Sequence, residues 1–251
     1  MKLKVAGLEV NRIGLGSNRL THTPAHVSFI KAAVEAGVQM IDSAHLYTNG
    51  ESEATLGEAL KPPRDGVIVA TKGGFRSGKP EVLRAELAES LQRLRAESVD
   101  LYYLHRAEID TPLEESLAEI KEFVESGQVR HAGISEVTVQ QIERARRVLP
   151  IAAVQNHYNI VERKHDAVVD HCKREGIPFV PFYPLRGEGP SVLNEIARRH
   201  RATRSQIKLA WLLKRSPMML PIPGTLSLEH LRENLGALEI ELTDAEFEAL
   251  G

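Results

Sequence analysis

Short apolar runs alternate with longer amphipathic stretches along almost the whole chain of 251 residues. Buried parallel strands read as continuous apolar runs, whereas apolar residues spaced three or four apart predict helices. The apolar runs predict eight strands, at residues 12–16, 39–43, 67–71, 99–104, 129–134, 152–155, 179–182 and 219–222.

Each predicted strand is followed by at least one predicted helix. Glycines at positions 37, 127 and 176 are typical helix stops, and Pro62-Pro63 ends the second helix. Eight strand–helix units in one series predict a parallel sheet that closes into a (β/α)8 TIM barrel, a single domain over residues 1–251. The helices are predicted at residues 26–36, 51–60, 80–95, 112–126, 138–148, 164–175, 191–200, 203–215, 228–235 and 244–250.

Composition narrows the possible partners and the compartment. The formal net charge is −2, which gives no reason to expect nucleic acid or an anionic membrane as a partner. The single cysteine, Cys172, excludes an intrachain disulfide and fits a reducing compartment. No apolar run approaches the ~18 residues of a membrane span. We therefore expect a soluble, cytoplasmic protein with no membrane partner.

Four residues with complementary chemistry lie at or just beyond the ends of consecutive predicted strands. Asp42 ends the second strand and Tyr47 follows five residues later, while Lys72 and His105 follow the third and fourth strands. The carboxyl ends of the strands meet at one face of an α/β barrel, and catalytic residues of such barrels come from these ends. We therefore expect the four side chains to meet in one site.

An acid, a phenol, an ammonium and an imidazole together indicate proton transfer. An ammonium such as Lys72 favours the ionised form of a nearby phenol, and Asp42 can hold that ammonium in place. His105 can orient a carbonyl oxygen by a hydrogen bond. The group includes neither a nucleophile nor a set of metal ligands. A nicotinamide cofactor is therefore the natural source of electrons, and a small carbonyl compound the natural substrate.

The sequence closely resembles the aldo-keto reductase family in six segments, which occur in the family's order between about residues 12 and 250. The stretch 178–185 (PFVPFYPL) is most similar to short-loop bacterial members related to pyridoxal reductases. The six segments are residues 42–47 (DSAHLY) with 50–53 and 56–60, residues 71–72 (TK), 104–105 (LH), 133–135 (GIS), 154–159 (VQNHYN) and 222–225 (IPGT).

The resemblance implies a role for each matching residue. Tyr47 would be the general acid in reduction and the base in oxidation, with its pKa lowered by Lys72 and Asp42. His105 would position the substrate carbonyl, and Phe182 would stack on the nicotinamide ring. The nicotinamide carboxamide would be held by Ser135, Glu136 and Gln155. Further cofactor contacts are implied for Gly16, Ser17, Asn18, Asp42, Tyr183, Pro184, Leu185, Arg186, Ile222 and Pro223, and the adenosine end would meet Gly224, Thr225, Ser227, His230, Glu233 and Asn234.

Two positions depart from the family pattern. Glu136 stands where the family often has asparagine, and His230 stands where a cationic residue, commonly arginine, is usual. The resemblance implies NADPH as the cofactor, with NADH as the alternative, and an aldehyde or activated ketone as the substrate. Members of the family occur both as monomers and as assemblies, so we expect a monomer or a weak homo-oligomer.

Two other kinds of protein are compatible with the same barrel. One is an NAD(P)H-binding regulatory or sensor protein with little catalysis, because a fold does not fix a function. The other is a metal-dependent hydrolase. His22 and His26 are four residues apart, but Pro24 between them argues for a loop or a helix start. We therefore predict no metal site and expect His22 and Tyr158 to line the pocket.

Overall fold

The computed structural model of the chain describes residues 2–60 and 66–251, so the predicted stop at Pro62-Pro63 lies outside the described residues. The described chain begins with an antiparallel hairpin of two strands, β1 (Lys2–Val5) and β2 (Leu8–Asn11). Ala6 and Gly7 form its turn with φ values of 44° and 83°. Positive φ at both central residues is typical of the tight turns that suit hairpins. The strand predictions missed this hairpin.

A parallel sheet of six strands follows in strict chain order, each strand pairing with the next. Two neighbouring strands carry Asp42 and Lys72, and His105 directly follows the next strand, which places the three residues at neighbouring strand ends. The strands are β3 (Leu15–Gly16), β4 (Met40–Asp42), β5 (Ile68–Gly73), β6 (Leu101–Leu104), β7 (Ala132–Ser135) and β8 (Ile151–Gln155).

Two further segments complete the barrel at the positions of the seventh and eighth predicted strands. Phe179 bridges to Val154 of β8 and to Met219, while Gly224 bridges back to Gly16 of β3. These segments form single bridges rather than long ladders. Their prolines, at positions 178, 181, 221 and 223, have no N–H to donate to a neighbouring strand. The chain is a closed (β/α)8 barrel, as the alternating pattern predicted.

The helices of the described residues pack around the outside of the sheet. Threonines 138, 203 and 243 each begin a helix with reciprocal side-chain and backbone hydrogen bonds, an arrangement that satisfies free N–H groups of the first turn. Gly37, Gly127 and Gly176 follow three helix ends, as predicted. The helices are α1 (Pro24–Glu35), α2 (Glu51–Ala59), α3 (Pro80–Leu94), α4 (Leu113–Glu125), α5 (Val139–Ala145), α6 (Asp166–Glu175), α7 (Leu193–Arg199), α8 (Arg204–Arg215), α9 (Leu228–Gly236) and α10 (Asp244–Leu250).

The buried apolar residues form two layers, one inside the barrel and one between the sheet and the helices. Leu3, Val5 and Val10 of the hairpin belong to the inner layer, where they pack with barrel residues such as Met40 and Leu101. The hairpin therefore contributes to the barrel core, and the carboxyl ends of the strands carry the polar site. In the part of the chain that the structure describes, no helix has both the length and the hydropathy needed to cross a membrane.

Candidate active site

Three of the four residues predicted to meet are fixed by the sheet itself. Asp42 is the last residue of β4, Lys72 lies near the end of β5, and His105 directly follows β6. These strands are neighbours in the sheet, so their ends lie side by side. The backbone N–H of His105 donates to the Gly73 carbonyl at 2.7 Å, which extends the ladder up to the imidazole.

The Lys72 ammonium is the centre of a buried network. Its Nζ donates to Asp42 Oδ2 at 2.6 Å, to the Ser43 carbonyl at 2.6 Å and to the Tyr47 phenol oxygen at 3.2 Å. Gln155 Nε2 donates to the other Asp42 oxygen at 2.7 Å. The Lys72 and Asp42 side chains are 0% and 2% exposed. Such a pair must be fully hydrogen-bonded to be tolerated in the interior, and here both carboxylate oxygens have donors.

Tyr47 reaches this network from a tight turn rather than from a strand. Residues Tyr47–Gly50 form one 3-10 turn in which Thr48, Asn49 and Gly50 all have positive φ. Gly50 suits this turn because its φ is 89°, a value that residues with a Cβ rarely adopt. The Thr48 hydroxyl donates to the Leu20 carbonyl and accepts from the Ser52 N–H. Backbone conformation and polar contacts thus fix the loop that presents the phenol.

The pKa of Tyr47 is raised in this network, whereas it was expected from the sequence to be lowered. Burial is the largest influence on the Tyr47 pKa and raises it above the ordinary value, with Lys72 opposing and Asp42 adding to the increase. The expectation that Asp42 helps to lower this pKa is therefore wrong, because a nearby negative charge disfavours a phenolate. Burial also acts to lower the Lys72 pKa, but Asp42 and Tyr47 outweigh it and keep the ammonium charged.

His105 is neutral at physiological pH. Burial lowers its pKa to about 2, with smaller contributions in the same direction from Lys72 and Arg106. Its Nδ1 is buried without a hydrogen-bond partner among the described residues, and the residue lines the cavity described below. The His105 ring meets the Tyr47 ring edge-on, with centroids 6.1 Å apart. A neutral imidazole beside a phenol can donate one hydrogen bond to an oxygen between them.

A cavity of about 1020 Å³ opens above these side chains. It is large enough for a cofactor and a small substrate, since single ligand pockets typically occupy ~300–1,000 Å³. Most of the predicted cofactor-binding residues line it, whereas Lys72 lies beneath its surface. The predicted residues along the cavity are Gly16, Ser17, Asn18, Asp42, Ser135, Glu136, Gln155, Phe182, Tyr183, Pro184, Leu185, Arg186, Ile222, Pro223 and Gly224.

Glu136 adopts a strained conformation at the cavity wall. Its φ is 54°, a left-handed value that is uncommon for a residue other than glycine. Its Oε1 accepts from the His157 backbone N–H at 2.7 Å, and Lys164 Nζ lies 3.8 Å from Oε2. Asn156 holds the adjoining loop by accepting from the Val137 N–H and donating to the Val137 carbonyl. Glu136, which departs from the family pattern, therefore has a hydrogen-bond donor and a nearby cation for its carboxylate.

The predicted adenosine-binding residues beyond Gly224 lie just before α9 and along it, outside the cavity lining. Ser227 caps this helix by accepting from the His230 N–H. One carboxylate oxygen of Glu233 accepts from the Thr203 hydroxyl at 2.6 Å, and Asn234 is buried. Thr225 is also buried, while the His230 side chain is exposed at the helix surface. The segment that lines the cavity up to Gly224 is thus followed directly by the amino end of α9.

Several cavity residues escaped the sequence predictions. Arg106 directly follows His105 and Leu46 directly precedes Tyr47, positions that could have drawn attention to them, whereas Phe75 and Ile109 lie in loops without a recognisable pattern. Two predicted lining residues do not line the cavity. His22 contacts Glu58 at 2.9 Å, and the Tyr158 ring stacks on Trp211 in the core with centroids 6.1 Å apart.

The two histidines that suggested a metal site contact different partners. His26 Nδ1 lies 2.9 Å from the Thr21 carbonyl, whereas His22 contacts Glu58. The proline between them is the first residue of α1, as its position indicated. Within residues 2–60 and 66–251, no group of three or more histidine, cysteine or carboxylate side chains is arranged to hold a metal ion.

Comparison with known proteins identifies the family. The sequence pattern of the aldo/keto reductase family matches residues 12–251. This chain belongs to the aldo/keto reductase family. It is therefore an oxidoreductase.

Individual proteins also align with nearly the whole chain. An uncharacterised oxidoreductase of Schizosaccharomyces pombe is 37% identical, with 99% of this chain and 88% of the relative covered. Pyridoxine 4-dehydrogenase of Escherichia coli is 35% identical over 94% of this chain and 92% of its own length. An aldo-keto reductase of Klebsiella pneumoniae in complex with NADPH superposes with a TM-score of 0.90 at 26% identity, covering 100% and 94% of the two chains.

Proposed function

We propose that this protein reduces an aldehyde or an activated ketone to the alcohol with NADPH, and that Tyr47 is the general acid. The observation that carries the proposal is the contact of the Tyr47 phenol with the Lys72 ammonium, beside the neutral His105, at the wall of the cavity. A proton donor next to a hydrogen-bond donor is what a carbonyl oxygen needs when it becomes an alcohol.

NADPH, when bound, supplies the hydride. The chain supplies the rest of the chemistry. His105 donates a hydrogen bond to the carbonyl oxygen and holds it beside Tyr47. As negative charge develops on that oxygen, the Tyr47 hydroxyl transfers its proton to it, and the buried Lys72 ammonium stabilises the phenolate that remains. Asp42 keeps the ammonium in place through its 2.6 Å contact.

The cavity residues fit a nicotinamide dinucleotide. Gln155 uses its Nε2 on Asp42, so its Oε1 is the atom that can accept from the carboxamide of the nicotinamide. Ser135 and Glu136 lie beside it, and the flat ring of Phe182 offers a stacking surface. Phe182 is itself stacked on His157, with centroids 5.3 Å apart and planes within 11° of parallel, which fixes its orientation.

The NADPH-bound Klebsiella structure supports NADPH over NADH for this chain. A phosphate on the adenosine ribose would meet the amino end of α9, where the helix N–H groups attract anions. His230 lies in the first turn of that helix, and its side chain is exposed. The proposal includes a reducing, cytoplasmic compartment, which the single buried Cys172 supports.

Replacing His230 with arginine should increase the preference for NADPH over NADH by about tenfold, because a guanidinium can form two parallel hydrogen bonds to a phosphate and an imidazole cannot. The measurement is the dissociation constant of each cofactor by calorimetry. His230→Gln, which adds no charge, is the control. Unchanged relative affinities in the arginine variant would show that the ribose phosphate is recognised elsewhere.

The pH dependence of the reaction should reflect the phenol rather than the imidazole. The pKa of His105, about 2, excludes its titration from the working range. The pKa of Tyr47 is raised, so the phenol stays protonated and reduction should be level between about pH 6 and pH 9. Alcohol oxidation needs the phenolate and should rise with pH over the same interval. A reduction rate that falls with a midpoint below about pH 8 would contradict the raised pKa.

Turnover with a reactive aromatic aldehyde tests the proposed function directly. NADPH should be consumed only when the protein and 4-nitrobenzaldehyde are both present, in a one-to-one ratio with the alcohol formed. Tight NADPH binding without turnover of this aldehyde, of pyridoxal or of other aldehydes would favour the sensor alternative. The complete arrangement of Asp42, Tyr47, Lys72 and His105 weighs against that alternative, because a binding protein has no use for a proton donor.

A further inference from the structure

Three arginines line the cavity, and they lie on different sides of it. Arg19 donates to the Gly224 carbonyl at 2.8 Å, next to the segment proposed to bind the cofactor. Arg186 lies 5.4 Å from the centre of the Tyr183 ring, in the loop after Phe182. Arg106 is separate from both, because it follows His105 at the end of β6. It is the arginine on the catalytic side of the cavity.

The carboxylates of the cavity are already engaged with other groups. Asp42 binds Lys72 and Gln155, as described above. Glu108 pairs with Arg144 at 2.7 Å and accepts from the Gln141 amide at 2.6 Å. Glu136 accepts from a backbone N–H and lies near Lys164. None of these acids forms an ion pair with Arg106, and no other carboxylate of the described chain does so.

The Arg106 guanidinium is nevertheless held in a defined place. Its Cζ lies 3.9 Å from the centre of the Phe75 ring, a close cation–π contact. The Phe75 ring in turn meets the His105 ring edge-on at a centroid distance of 4.9 Å. The charge is close enough to contribute to the low pKa of His105. A cation without a carboxylate partner therefore lies one ring away from the imidazole that would hold the substrate carbonyl.

We propose that Arg106 binds the carboxylate of the substrate, so that the protein reduces small aldehyde or ketone acids to hydroxy acids. This inference rests on the proposed function, since it requires the carbonyl to lie at Tyr47 and His105. The planar guanidinium matches a carboxylate with two parallel hydrogen bonds. One guanidinium balances one negative charge, which favours a carboxylate over a doubly charged phosphate monoester.

The rim of the cavity suits the carbon skeleton of such a substrate. Leu46, Ile109 and Tyr183 are 38%, 44% and 48% exposed and all lie along the cavity. Apolar side chains exposed together around a pocket are typical of a ligand-binding surface. During the reaction the carbonyl carbon gains the hydride and the carbonyl oxygen gains the Tyr47 proton. The carboxylate undergoes no bond change and serves only to anchor the substrate.

A matched pair of substrates tests this assignment. 3-Carboxybenzaldehyde and its methyl ester have the same ring and the same aldehyde, but only the acid is charged. In the wild type, kcat/KM should be higher for the acid. Arg106→Ala should lower kcat/KM for the acid by about tenfold or more, mostly through KM, and change that for the ester by less than about threefold. Arg106→Lys, which keeps the charge but loses the planar fork, should fall in between.

Arg76 provides the control variant. It is an exposed arginine next to Phe75, but it does not line the cavity. The kcat/KM values of Arg76→Ala for both substrates should equal those of the wild type.

A binding measurement tests the assignment without turnover. The affinity of 3-(hydroxymethyl)benzoate for the protein saturated with NADP⁺ is measured by calorimetry. Its affinity should weaken by about tenfold in Arg106→Ala, while the affinity for NADPH stays unchanged.

The possible results distinguish failure of the Arg106 assignment from failure of the proposed function. Equal losses for acid and ester in Arg106→Ala would overturn the assignment and show that Arg106 acts only by supporting Phe75 and His105. No loss for the acid would also overturn it. If the wild type reduces neither compound nor any neutral aldehyde, the proposed function itself fails. If it reduces the ester as well as the acid, the proposed function holds and the carboxylate specificity does not.

Discussion

Tyr47→Phe is expected to lower kcat for aldehyde reduction by about 10²–10⁴-fold, the usual contribution of a positioned general acid. The variant keeps the ring and its contact with the Lys72 ammonium, which lies 4.7 Å from the ring centre. It loses the hydroxyl that is proposed to donate the proton. Lys72 retains Asp42 and the Ser43 carbonyl as acceptors, so the fold and the site should remain intact.

Cofactor affinity and a second tyrosine serve as controls for this result. The dissociation constant for NADPH should change by less than about twofold in Tyr47→Phe, because the hydroxyl acts on the developing alcohol. Tyr158→Phe removes a buried hydroxyl that donates to Asp166 at 2.5 Å, away from the cavity. That variant should keep full turnover. Wild-type turnover in Tyr47→Phe would show that another group donates the proton.

Lys72→Met should remove most turnover and also destabilise the fold. Methionine has nearly the length of lysine but no charge, so Asp42 would be left buried without its 2.6 Å partner. Breaking a buried ion pair on one side typically costs about 3–5 kcal/mol. The free energy of unfolding, measured by urea denaturation, should fall by about that amount. The phenolate of Tyr47 would also lose the charge that stabilises it.

A double variant separates the structural role of Lys72 from its chemical role. Adding Asp42→Asn to Lys72→Met removes the unpaired charge and should recover much of the lost stability. It should not recover turnover, since no ammonium stabilises the phenolate. Recovery of turnover together with stability would mean that Lys72 contributes only to folding. If Lys72→Met alone were as stable as the wild type, the buried ion pair of Lys72 and Asp42 would not contribute to stability as proposed.

The barrel was predictable because its parallel strands are buried on both faces. Largely apolar runs such as residues 67–71 and 99–104 are costly to expose to solvent, and their alternation with helices leaves few topologies. The runs at residues 179–182 and 219–222 were located correctly, but their form was not predicted. Proline removes backbone donors, so these segments close the barrel through isolated bridges.

The hairpin and the site show what sequence patterns leave out. The strands β1 and β2 are only four residues each, too short for their alternation to stand out. Asp42, Lys72 and His105 were brought together as predicted, because strand order fixes them. The upward shift of the Tyr47 pKa was not predictable, since it depends on how deeply the fold buries a phenol that is carried by a turn with three consecutive positive φ values. Arg106 and Phe75 meet through tertiary contacts that no local pattern encodes.

The central claim is hydride transfer from NADPH to a carbonyl carbon at this site, and isotope transfer tests it most directly. The protein would be incubated with 4-nitrobenzaldehyde and NADPH in which both hydrogens on the reactive carbon of the nicotinamide are replaced by deuterium, and the alcohol would be analysed by mass spectrometry. The account predicts an alcohol with one deuterium on the former carbonyl carbon, formed by the wild type and at least about 10²-fold more slowly by Tyr47→Phe. An unlabelled alcohol, or no alcohol from a protein that binds NADPH tightly, would contradict it.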